Sequence, residues 1–152
     1  MSENLNRKDP VQETGMVFEI PIRVRYFETD AMGVVHHAFY LTYFEEARVE
    51  ALRRLGASYK TMEEEGFFLV ITRVELNYKR PAYFEDQLSV RMRIERMTTV
   101  RIDHAYQIMR NGEVLVEGKT TLACVDRDGK PRPLPDLLRP TSARQHLDGP
   151  KG

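Results

Sequence analysis

Residues 26–40, YFETDAMGVVHHAFY, gather most of the side chains able to do chemistry in this 152-residue chain. Asp30 falls in the loop where a strand pattern gives way to a helix pattern, and Gly33 frees the backbone just after it. The first turn of the following helix has N–H groups without intrahelical partners, and its dipole favours negative charge. A carbonyl oxygen set against those donors is polarised, and the oxyanion formed on addition is stabilised more than the ground state. Asp30 would then attack the acyl carbon or orient a water that does. A thioester suits such a site, because a thiolate leaves without strong acid assistance. No Ser-His-Asp set is needed, and the sequence has no GxSxG elbow.

A plainer reading stands beside this one, with Asp30 capping nearby N–H groups in a turn. His36 and His37 are neighbours without Asp, Glu or Cys at ligand spacing, so no metal is expected. Backbone N–H donation, from His37 above all, and pocket lining suit them better. His104 reads as a core histidine, and His146 as a tail residue without a role.

The elements that must position this loop follow from periodicity. Phe18, Ile20, Ile22, Val24 and Tyr26 alternate with other residues in a first strand, and Pro21, lacking a donor, suggests an edge. From Ala38 to Leu55, Tyr40, Leu41, Phe44, Ala47, Ala51, Leu52 and Leu55 recur at helical spacing, and Gly56 suits the left-handed stop. That helix would run about 27 Å. Ser58 to Glu65 adds one or two turns. Strand patterns then dominate, first through Val70, Val74, Leu76 and Tyr78, then through Leu88, Val90, Met92 and Ile94. Val100, Ile102, Tyr106 and Ile108 make a fourth. After the Asn111-Gly112 hairpin signal, Val114, Val116, Leu122 and Cys124 line the last. Pro81 to Asp86 links the second and third strands.

The predicted fold is α+β: a curved, mainly antiparallel five-stranded sheet wrapped around one long central helix. Residues 1–15 read as a disordered N-terminal arm, 16–140 as the domain and 141–152 as a flexible tail. Leu134, Leu137 and Leu138 would pin a turn of helix to the body. One helix cannot cover both faces of such a sheet. The outer positions Arg91, Arg93, Arg101, Asp103 and Gln107, with Phe68, Leu115, Ala123 and Val125, suit solvent or a wet subunit contact.

Lys plus Arg and Asp plus Glu number 23 each, which argues against a nucleic-acid partner. No apolar segment approaches the roughly 20 residues that cross a bilayer, so no membrane insertion is expected. The first residues lack the apolar centre of a secretory signal, and a cytoplasmic location is expected. The one cysteine, Cys124, lies in an alternating apolar run and reads as a buried, inert thiol.

The span VRYFETDAMGVVHHAFYLTYFEEARVEALRRLG, residues 24–56, resembles the hot-dog-fold thioesterases of the 4-hydroxybenzoyl-coenzyme-A type. It is closest to the acyl-CoA thioesterases associated with the Tol-Pal system. The likeness continues through VELNYKRPAYFEDQLSVRMRI and the closing hairpin, over most of residues 18–138. The resemblance implies acyl-CoA hydrolysis without a cofactor, with Asp30 as nucleophile or general base. It implies that the backbone N–H at His37, with Val34 in the same loop, meets the thioester, and that Gly33 lets the carboxylate approach. It also implies sites between subunits, often in a dimer of dimers. Glu28 and His36 depart from the residues common in the family, and these departures, with the bulky Met32, bear on the acyl pocket. Glu45 and Arg48, three apart on the helix, read as a surface pair near a subunit contact. Lys79 and Arg80 are the candidates for the nucleotide phosphates of coenzyme A, against a reading as solvated charge.

Two other functions fit less well. One is a thioesterase or dehydratase acting on acyl carrier protein substrates, although His104 has no evident acidic partner for dehydration. The other is a non-hydrolytic acyl-thioester-binding module, which the intact Asp30, Gly33 and His37 set disfavours.

Overall fold

A computed structural model describes residues 12–139, with side chains described from Gly15 onward. The first strand, β1 (Gln12–Arg23), leads through a 3-10 turn (Tyr26–Glu28) and a loop to the helix α1 (Phe39–Arg54). A short helix α2 (Tyr59–Glu64) precedes β2 (Phe68–Tyr78), β3 (Gln87–Met97), β4 (Arg101–Arg110) and β5 (Glu113–Val125). The five strands form one sheet in the order β1-β3-β4-β5-β2, and all four neighbouring pairs are antiparallel. Pro21 lies on β1, an edge strand, where its missing N–H costs no ladder bond on the outer side.

The predicted helix is present, one residue shorter at each end. Ala38 and Leu55 are its caps. Its sixteen residues span about 24 Å at 1.5 Å per residue. The buried stripe is Tyr40, Tyr43, Phe44, Ala47, Arg48, Ala51 and Leu52, so Tyr43 and Arg48 join it and Leu41 turns out to solvent. The inner positions of β3 and β4 alternate as expected: Leu88, Val90, Met92 and Ile94, then Ile102, His104, Tyr106 and Ile108, are buried. The helix comes close against the sheet at Gly118 of β5. A Cβ there would sit 2.4 Å from the Phe44 ring, which stacks on Tyr106 at 4.0 Å between centroids. Only glycine admits that ring.

Four expectations need correction. The strand begins at Gln12, with Gln12 opposite Met97, inside the stretch read as an arm; residues 1–11 lie outside the described part, as does the tail from 140 on, with His146. Leu115 is fully buried rather than outward, because the β4–β5 register steps from Ile108↔Val116 to Met109↔Val114 and leaves Leu115 as the extra residue of a bulge. The apolar alternation of β2 is interrupted by a bulge between Ile71 and Arg73, which sets Val70 on the opposite face from Val74, Leu76 and Tyr78; Val70, Ile71, Val74 and Tyr78 are all exposed in this chain. And Arg48 is buried, bonded to Tyr106 across the core, so it forms no surface pair with Glu45.

The chain leaves β5 at Val125 and returns along the body through Pro131 and Leu134 to a 3-10 turn (Asp136–Leu138) that buries Leu134 and Leu138. Cys124 is buried beneath this return, and burial pushes its thiol pKa up, which fits an inert side chain.

Candidate active site

Between β1 and α1 the backbone folds into a small hairpin. Thr29 pairs with Val35, the Asp30 N–H donates to the Val34 carbonyl at 2.8 Å, and the Gly33 N–H donates to the Asp30 carbonyl at 2.9 Å. Gly33 has φ +80, a conformation that favours glycine, and a Cβ there would meet nothing within 4 Å. The glycine is therefore needed for the turn itself and not for space. The Asp30 carboxylate is exposed, and its Oδ1 accepts from the N–H of Met32 at 2.8 Å and, more weakly, of Val34 at 3.4 Å. Those bonds are the capping role of the plainer reading. They occupy Oδ1 alone, so the same turn also presents a fixed carboxylate to solvent.

Two further contacts hold the hairpin in place. Val34 bridges to Tyr83, and the Val35 N–H donates to the Ala82 carbonyl at 2.8 Å, which ties it to the link before β3. From the other side, the His36 N–H donates to the Glu28 carbonyl at 2.8 Å. Glu28 is the anchor that sequence reasoning missed. It was expected to modulate an acyl pocket, yet it is 1% exposed and turned inward. Its Oε1 accepts from the Tyr43 hydroxyl at 2.9 Å and from the Arg25 N–H at 2.7 Å, and its Oε2 lies 3.3 Å from the Arg25 guanidinium. Burial, then the bond to Glu28, pushes the Tyr43 hydroxyl pKa far up, so Tyr43 remains a donor at any working pH. The loop is thus fastened to the middle of α1 through one carboxylate.

The start of α1 is open. Ala38 offers no side-chain cap; instead the His36 Nδ1 accepts from the Ala38 N–H at 3.2 Å, which requires an unprotonated Nδ1. No acidic residue stands in the first turn of this sixteen-residue helix. The His37 carbonyl accepts from the Tyr78 hydroxyl at 3.2 Å, and none of the hydrogen bonds among the described residues uses the His37 N–H. A donor left unpaired and exposed at a helix start is a ready anion or oxyanion site.

A groove of about 250 Å³ runs beside this donor, lined by Val35, His37, Tyr40, Tyr78, Lys79 and Arg80. The structure thus brings His37, Lys79 and Arg80 to one groove and sets Asp30, Gly33 and Val34 in the adjoining turn. Asp30 does not line the groove within a single chain. Lys79 pairs with Glu117 at 3.0 Å and Arg80 with Glu113 at 2.8 Å; such half-exposed surface pairs are weak and exchangeable. A larger concavity, about 550 Å³, lies on the sheet among Arg73, Glu75, Arg93 and Lys119, and includes none of these residues. Among the described residues no cluster of His, Cys, Asp and Glu could hold a metal ion, and no helix is long and apolar enough to cross a membrane.

This strand–turn–helix site on a five-stranded antiparallel sheet is the setting of a known class, the thioesterase-like superfamily, whose sequence profile matches residues 24–141. The chain belongs to that superfamily and is a thioesterase. Among its relatives is the acyl-CoA thioesterase YbgC of Haemophilus influenzae, 36% identical over 131 residues, which cover 86% of this chain and 96% of that protein. The DHNA-CoA thioesterase from Staphylococcus aureus superimposes with a TM-score of 0.76 at 33% identity, covering 87% of this chain and 91% of that one. At 24% identity, Slr0204 from Synechocystis, a 1,4-dihydroxy-2-naphthoyl-CoA thioesterase, shares the fold with a TM-score of 0.78, over 89% of this chain and 100% of its own.

Proposed function

We propose that the chain hydrolyses acyl-CoA to the free acid and coenzyme A, as a hot-dog enzyme of the 4-hydroxybenzoyl-CoA and Tol-Pal-associated type. The observation that carries this reading is the unengaged His37 N–H at the start of α1, one turn of chain after the Asp30 carboxylate. The thioester carbonyl accepts from that N–H and from the open first turn of the helix. Asp30 attacks the acyl carbon, or takes a proton from a water that attacks it. The C–S bond then breaks and the coenzyme A thiolate leaves. In the direct route the resulting anhydride at Asp30 is hydrolysed by water, which restores the carboxylate.

Lys79 and Arg80 would exchange their Glu117 and Glu113 partners for the nucleotide phosphates, while Val34 and Gly33 border the thioester. Two features support sites completed by a second subunit, and the proposed assembly is a dimer of dimers in the cytoplasm. Asp30 lies outside the groove of its own chain, and the β2 side chains Val70, Ile71, Val74 and Tyr78 are exposed along a sheet edge. Dehydration is disfavoured because His104 is buried beside Arg48 rather than beside an acid.

The test is steady-state hydrolysis of acetyl-, hexanoyl-, palmitoyl- and benzoyl-CoA, with the freed thiol measured directly. Turnover of one or more at kcat/KM above about 10⁴ M⁻¹s⁻¹ is expected of a working enzyme. Absence of turnover on the whole panel would move carrier-protein substrates or simple binding to the front.

A further inference from the structure

Helix α1 carries a charge on the face it turns toward the sheet. Arg48 is 6% exposed, and its guanidinium is met by hydroxyls. Nη1 donates to the Tyr106 oxygen at 2.9 Å, which shares a 2.6 Å bond with the Thr120 hydroxyl, and Tyr59 of α2 lies against the same group. Burial raises the pKa of both Tyr59 and Tyr106, so each meets Arg48 as a neutral dipole and not as a phenolate. Among the described residues no carboxylate forms a salt bridge with Arg48, and arginine does not shed its proton. A buried cation answered by dipoles alone is an uncommon arrangement.

Two nitrogens in this neighbourhood are unused. Arg48 Nε and His104 Nδ1 are both buried and both without a hydrogen-bond partner. Both residues line the same small cavity, about 30 Å³, whose other walls are Tyr59 and apolar side chains that include Leu52, Met92 and Ile102. One water-sized sphere needs about 10–15 Å³ on this measure, so the cavity takes a single-atom ligand and not a carboxylate or phosphate. A water there would use the hydrogen-bonding capacity and leave the charge unanswered. A monatomic anion answers both. His104, kept neutral by burial and by the nearby Arg48, is free to carry its one proton on Nδ1 and donate it.

We propose that this cavity is a binding site for one halide ion, held between Arg48 Nε–H and His104 Nδ1–H. The site lies between α1 and the sheet, away from the groove at His37, and it is independent of the catalytic reading. Its occupant neutralises the one charge that α1 brings into the core at Arg48 and braces the helix against β4.

The direct test is a crystal of the full chain grown in bromide in place of chloride. An anomalous peak in the cavity, within hydrogen-bond reach of both nitrogens, is expected. Density there without anomalous signal would mean a water and would overturn the proposal. In solution, thermal unfolding is compared in sodium bromide and sodium gluconate at equal ionic strength, gluconate being too large to enter. The wild type should gain about 2–4 °C in bromide, saturably. Arg48→Met should lose the difference, and His104→Phe, which keeps the charge but removes one donor, should weaken it. A bromide gain that persists in full in both variants would refute the site. If Arg48→Met fails to fold, the wild-type crystal and His104→Phe still decide.

Discussion

Removing the Glu28 carboxylate should cost more than any other single change near the proposed site that leaves Asp30 and His37 untouched. Glu28→Ala strips the acceptor from two donors at 2.9 and 2.7 Å, the buried Tyr43 hydroxyl and the partly buried Arg25 N–H. Leaving a buried donor unsatisfied costs about 1–3 kcal/mol, more where a charge is involved. The Arg25 guanidinium is more than half exposed and also pairs with Glu46, so its loss of Glu28 adds little. The two unpaired donors set the expected loss at about 2–4 kcal/mol. For a chain of this size that lowers Tm by about 4–16 °C. Glu28→Gln keeps a carbonyl acceptor and should lose less than half as much.

Urea unfolding of wild type, Glu28→Ala, Tyr43→Phe and the double variant gives a cycle in which the pair should couple by about 1–3 kcal/mol. The same proteins should lose thioesterase activity in step, because the His36 N–H hangs from the Glu28 carbonyl and the hairpin that carries Asp30 hangs from both ends. A Glu28→Ala protein within about 0.5 kcal/mol of wild type, or additive single effects, would refute the anchoring role.

Gly118→Ala forces a methyl onto the Phe44 ring and should cost about 1–3 kcal/mol of overpacking, relieved in part by Phe44→Leu; equal unfolding midpoints with and without the alanine would contradict the close approach. His37→Pro deletes the backbone donor and should lower kcat by about 10²–10³-fold, whereas His37→Ala keeps that N–H and should stay within about 10-fold of wild type. Lys79→Ala and Arg80→Ala should raise KM for acyl-CoA and leave acyl-pantetheine, which lacks the nucleotide, unchanged. Burial and Arg48 hold the folded-state pKa of His104 at about 3, against about 6.5 when unfolded, so the unfolded chain binds the extra proton first. Stability from this residue is therefore full above pH 6.5 and falls by up to about 1.4 kcal/mol per unit as pH drops toward 3; His104→Phe should flatten that component in urea melts between pH 7 and 5.

The regular elements were legible because their patterns are local. The stripe from Tyr40 to Leu52 and the alternations of β3 and β4 repeat within a few residues, and the Asn111-Gly112 turn has positive φ at both positions, as its sequence demands. The turn at Asp30 was equally local. Arg48 was misread through its spacing from Glu45, although it also falls four residues after Phe44 and three before Ala51, on the stripe that is buried. Charge argued for the surface; position on the helix decided otherwise. Glu28 had no such signal, because its inward turn depends on a 3-10 turn and on Tyr43, fifteen residues away. For β2 the run from Val74 to Tyr78 keeps to one face, but the bulge after Ile71 puts Val70 on the other. The exposure of these side chains follows from the strand's place at a sheet edge, about which periodicity within one chain carries nothing.

The account turns on the Asp30 carboxylate acting as more than the cap of its own turn. Asp30→Asn keeps an oxygen to accept from the Met32 and Val34 N–H groups, so the hairpin should survive while the nucleophile or base is lost. The measurement is kcat on the best acyl-CoA substrate for Asp30→Asn beside wild type, with unfolding midpoints recorded on both. A fall of about 10²-fold or more with an unchanged midpoint is the expected result. An Asp30→Asn enzyme as fast as wild type would return Asp30 to the role of a turn cap and contradict the proposed mechanism.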